Sequence, residues 1–123
     1  MYFEQDWIMR QIEMLIQFVT RMIFHKDSIN YKIVDETNLS QTDLLYKRLK
    51  NLIRERKICE AENLLFENID VDNKEYLALA LDFYQTINQM TDDELEAHNF
   101  SKQEINDGIE EIMHKFHIPA LKV

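Results

Sequence analysis

A chain of 123 residues with one glycine (Gly108), one proline (Pro119) and one cysteine (Cys59) has no means to build phosphate loops, dinucleotide turns or nucleophile elbows, which need several glycines at close spacing. The lone cysteine rules out an internal disulfide and a cysteine-based zinc site. A net charge of −9, eight of it within residues 69–123, argues against the broad basic face that nucleic-acid binding uses.

With 46% hydrophobic residues, the chain has the material for one packed domain. The first predicted element is a helix over 4–26. Ile8, Ile12, Leu15, Val19 and Met22 fall in a 4-3-4-3 series along it. Trp7, Met14 and Phe18 flank that stripe on one side, and Met9, Ile16 and Ile23 flank it on the other. The apolar arc spans about 220°, whereas a helix resting on one core needs little more than about 100°. Three fates fit such a surplus: burial within its own domain, a homodimer seam along the 8-12-15-19-22 stripe, or a membrane surface. The polar strip of Asp6, Arg10, Glu13, Gln17 and Arg21 lacks the basic bias of membrane-surface helices. It also interrupts the run too often for membrane insertion. The expectation is a soluble, cytoplasmic protein.

An irregular stretch over 27–39 follows, and then helices over 41–56, 58–68, 73–90, 92–98 and 102–116. Four starts carry a capping residue with an acid three positions on: Ser40 and Asp43, Asp72 and Glu75, Thr91 and Glu94, Ser101 and Glu104. Asn30, Asn38, Asn68 and Asn99 stand near element ends, where asparagine tolerates the left-handed conformation glycine usually takes. Helix 73–90 is apolar on most sides, which makes it the central helix of the C-terminal part. No segment alternates with period two over a useful length. The fold class read from this pattern is all-α, a single domain of helical hairpins with a long apolar N-terminal helix.

Few residues offer chemistry. Lys47, Lys50, Arg54 and Lys57 recur at 3-4-3 spacing and form a basic stripe that either holds anions or is simply solvated. Glu110, His114 and His117 share one helix face in a spacing that zinc accepts, yet the proline two residues on marks the helix end, and they read as surface residues. Asp70–Glu75 is similar to a calcium loop, but Glu75 occupies the position where that loop needs glycine. Cys59 reads as a buried, inert thiol. Asp82 is the acid of most interest because its helix is so apolar: it either occupies the polar strip or is buried with a raised pKa or a hydrogen-bonding partner. No catalytic, metal or cofactor-binding residues are assigned, and no cofactor is expected.

Two resemblances add to this. Helices 41–56 and 58–68 look like a tetratricopeptide hairpin, with Ala61 at the tight crossing and Leu65 as its bulky follower, although a step of about 34 residues does not repeat the pattern. The opening Tyr2-Phe3-Glu4-Gln5-Asp6-Trp7-Ile8-Met9, the segment Glu60-Ala61-Glu62-Asn63-Leu64-Leu65-Phe66, Asp82-Phe83-Tyr84 and Phe100-Ser101 resemble an uncharacterised family of small helical proteins from low-GC Gram-positive bacteria. The likeness covers nearly the whole chain. It implies a bacterial cytoplasmic protein with tetratricopeptide-like helices, and it transfers no activity. The resulting expectation is a non-enzymatic adaptor, self-associating through the N-terminal helix as a homodimer and binding a protein partner of unknown identity. The alternative is an anion- or nucleic-acid-binding regulator that uses the basic stripe.

Overall fold

A computed structural model of the chain describes residues 2–119. Six α-helices follow one another: α1 (Tyr2–Val19), α2 (Gln41–Arg54), α3 (Ile58–Glu67), α4 (Lys74–Asn88), α5 (Asp92–Ala97) and α6 (Lys102–Lys115). No strand occurs among the described residues.

Local chemistry explains where the helices start. Ser40 and Thr91 form reciprocal capping boxes with Asp43 and Glu94, so each satisfies an orphan N–H of the first turn while the acid returns to the cap's own N–H. Ser101 accepts from the Glu104 N–H at 3.2 Å. The start of α4 differs from expectation. Asn73, not Asp72, is the cap, and it accepts from the Glu75 N–H at 2.9 Å, because the preceding turn is closed by Asp70, whose carboxylate accepts from the Asp72 N–H at 3.1 Å.

The first helix ends earlier than the sequence predicts. After Val19 the chain widens into a π-helical turn, Thr20–Phe24. The buried Thr20 hydroxyl donates back to the Ile16 carbonyl at 2.7 Å, a bond that competes with the regular ladder. His25, at φ 57°, then closes the segment.

Helix α4 is central. Ten of its residues are buried, and it packs against α1, α2 and α6, while α1 lies chiefly on α6 and α2 on α3. Three tyrosine hydroxyls tie elements together: Tyr76 donates to the Leu65 carbonyl at 2.5 Å, Tyr84 to Glu62 at 2.6 Å and Tyr31 to Asp43 at 2.5 Å. Lys102 is buried too. Its ammonium donates to the carbonyls of Asn88 and Met90, covering acceptors that the end of α4 leaves open.

Candidate functional site

The surplus apolar surface of α1 divides between the inside and the outside of the molecule. Ile12 and Val19 are fully buried and Leu15 nearly so, with Ile16 beside them, and Ile8 is half-buried. Three of the five residues in the expected seam therefore belong to the chain's own core, because α4 and α6 already cover that side of the helix. Of the five, Met22 stays exposed.

What α1 does present to solvent is a strip displaced around the helix. Trp7 is 64% exposed and Met14 47%, and with half-buried Phe18 they fall within about 40° of arc. Met14, Gln17, Phe18, Arg21 and Met22 line a shallow groove of about 450 Å³ there. The sequence series pointed to the centre of the arc, while the flanking residues are the ones left uncovered.

Beside this strip lies a polar cleft of about 520 Å³ between α1, the chain after His25 and the last turn of α4. Met14 and Gln17 border both depressions. Its walls carry Arg10, Glu13, Gln85, Asn88 and Gln89. Several wall groups are fixed: Gln85 donates to the Ile29 carbonyl at 2.5 Å and Asn88 to the Met9 carbonyl at 3.3 Å. Sequence reasoning missed the cleft. Its residues come from three separate segments and share no motif.

The basic stripe of α2 is largely occupied. Lys47 pairs with Glu36 at 3.0 Å and Lys57 with Glu55 at 3.7 Å. The Lys50 ammonium sits 5.3 Å from the centre of the Tyr46 ring. Arg54 is the last residue of α2 and forms no ion pair within residues 7–119, and Lys57 lies beyond that helix, at the cap of α3.

Asp82 is buried rather than in a polar strip. Burial pushes its carboxyl above the usual range, opposed by the Tyr31 backbone N–H, the Lys50 charge and Gln85. The cavity beside it holds about 10 Å³, room for a single water at most, so Asp82 anchors the connector and does not face a ligand-sized space.

Cys59 is exposed, which corrects the buried reading. Desolvation and the nearby Glu104 and Glu62 push its thiol pKa up, so it remains a thiol and not the nucleophilic thiolate. Its Sγ lies 3.4 Å from the Asn99 carbonyl oxygen. Glu110, His114 and His117 are exposed, and His117, at φ 56°, lies beyond the end of α6, so the three do not continue one helical face.

Among the described residues, no helix is long and apolar enough to cross a membrane. No curated protein matches the chain, and no solved structure matches it. A family described as a family of unknown function (DUF6483) matches residues 2–117, and the chain belongs to that family.

Proposed function

We propose that this protein is a non-enzymatic, cytoplasmic interaction module that self-associates through the exposed strip of α1. The observation that carries this reading is the exposure of Trp7, Met14 and Met22 along one helix whose opposite side is buried. Aromatic and methionine side chains supply much of the adaptable contact area at protein interfaces.

Charge supports a second copy as the occupant. The chain carries −9, yet its first 26 residues carry three acids and three bases. Two copies therefore meet there without the like-charge repulsion that opposes contact between their acidic halves. A two-fold axis near Met14 sets that residue against itself and brings Trp7 of one copy to the Arg21 and Met22 end of the other, an isologous contact. The α2–α3 hairpin, closed on the fully buried Ala61 and Leu65, supports a tetratricopeptide-like surface for a further protein partner.

Sedimentation equilibrium over a concentration series tests the self-association. Dimer is expected for the natural chain and monomer for Met14→Glu, whose site is on the surface. Leu15→Glu is unsuitable because Leu15 is in the core. A monomer at the highest concentration, or a dimer that survives Met14→Glu, overturns the proposal.

A further inference from the structure

The polar cleft has features that self-association does not use. Its volume of about 520 Å³ falls within the size of small-molecule sites, roughly 300–1,000 Å³. Its back wall is pinned. The Gln85 carboxamide is held on Ile29, and Asn88 donates to Met9 while accepting from the Lys102 ammonium at 3.3 Å. These two side chains give the cleft a fixed back wall.

The remaining polar groups have a definite electrostatic order. Arg10 and Glu13 stand one turn apart on α1 and both line the cleft. Neither forms an ion pair within residues 7–119, whereas Asp27, the other acid on the wall, lies 3.3 Å from Arg21. Helix α1 thus brings one guanidinium and one carboxylate to the wall of the cleft. A guanidinium fork takes a carboxylate through two parallel N–H bonds, and a carboxylate takes an ammonium. The buried Ile16 and Ile29 supply an apolar floor for a short side chain.

We infer that the cleft is a binding site for a zwitterionic amino acid, its carboxylate on Arg10 and its ammonium on Glu13. The two charges of the ligand match the two charges of the wall in sign and order along α1. A ligand with a single charge would leave one wall charge unmatched, and a neutral one would leave both. The cleft shares Met14 and Gln17 with the self-association strip, but the charged pair it uses, Arg10 and Glu13, is not part of that strip.

The test is calorimetric titration of the full chain with each common L-amino acid at millimolar concentration, and with the N-acetyl amide of any that binds. The expected result is saturable binding of at least one amino acid. Its neutral N-acetyl amide should not bind, and Arg10→Ala and Glu13→Gln should each weaken affinity by about tenfold or more. Arg10 and Glu13 are both exposed, so circular dichroism should show both variants folded, and sedimentation of the same samples scores the dimer separately. Absence of binding by every amino acid overturns the inference. So does binding that survives either substitution, or equal binding of the N-acetyl amide.

Discussion

The phenol of Tyr84 lies directly against the α-carbon of Gly108. A Cβ built on Gly108 would fall 2.6 Å from Tyr84 Cζ and 2.7 Å from a Glu62 carboxylate oxygen, closer than atoms tolerate. Tyr84 is fully buried and its hydroxyl is committed to Glu62, so it has nowhere to retreat. The glycine is kept for the close approach of α4 to α6, a role that explains its place inside a helix. Overpacking costs about 1–3 kcal/mol, against a helix-propensity gain for alanine of about 1 kcal/mol. Gly108→Ala should therefore lower the unfolding free energy by up to about 2 kcal/mol in urea titration, and Gly108→Leu by more. A leucine variant as stable as the natural protein would refute the contact.

The same cluster sets a pH dependence. Burial pushes the Glu62 carboxyl above its usual range, and the neighbouring Glu104 and Asp107 push it further, while the Tyr84 hydroxyl opposes them. An acid whose pKa is raised in the folded state binds more protons folded than unfolded, so stability falls as pH rises from the ordinary glutamate value through the raised one. Glu62→Gln keeps an acceptor for Tyr84 and removes the titration. Its melting temperature should exceed that of the natural chain near neutrality, and the difference should shrink toward about pH 4, where the natural carboxyl is protonated. A difference constant with pH would show that Glu62 is not the titrating group.

How far the sequence reveals this molecule depends on the range of the interactions concerned. Ser40, Thr91 and Ser101 are legible as helix starts because a cap is satisfied within three residues. Asp72 misleads because the turn before it moves the cap one residue along, to Asn73. The end of α1 is hidden for a similar reason: a threonine hydroxyl and a left-handed histidine stop a helix whose apolar pattern continues. Periodicity shows that α1 has more apolar surface than one core needs, but not which part of the arc α4 and α6 cover. That choice leaves Trp7 and Met14 outside and takes Leu15 inside. Asp82 illustrates the longest range. Its burial depends on a connector more than fifty positions upstream that lays the Tyr31 backbone N–H over it, and nothing near Asp82 in the sequence encodes that contact. The polar cleft is assembled across equally distant segments.

Scarcity of glycine also leaves a stability reserve at the helix ends. Helices α2, α5 and α6 each end in the same double hydrogen bond: Lys57 N–H to Leu52, Phe100 N–H to Leu95 and Ile118 N–H to Met113, paired with Arg56 to Ile53, Asn99 to Glu96 and His117 to His114. This is the Schellman arrangement, and the residue at its bend must be left-handed. Arg56, Asn99 and His117 occupy those bends at φ 62°, 57° and 56°, so only Asn99 of the four asparagines first placed at element ends takes that conformation. A left-handed non-glycine residue costs about 1–2 kcal/mol, and glycine recovers this less about 0.4–1 kcal/mol of unfolded-state entropy. Arg56→Gly and His117→Gly should each raise the unfolding free energy by about 0.5–1 kcal/mol. Asn99→Gly should gain less, because asparagine accommodates the left-handed region better. Arg56→Ala separates backbone relief from loss of charge, since alanine removes the guanidinium but keeps the Cβ. A gain for alanine equal to that for glycine in urea titration would assign the effect to charge and overturn the backbone account.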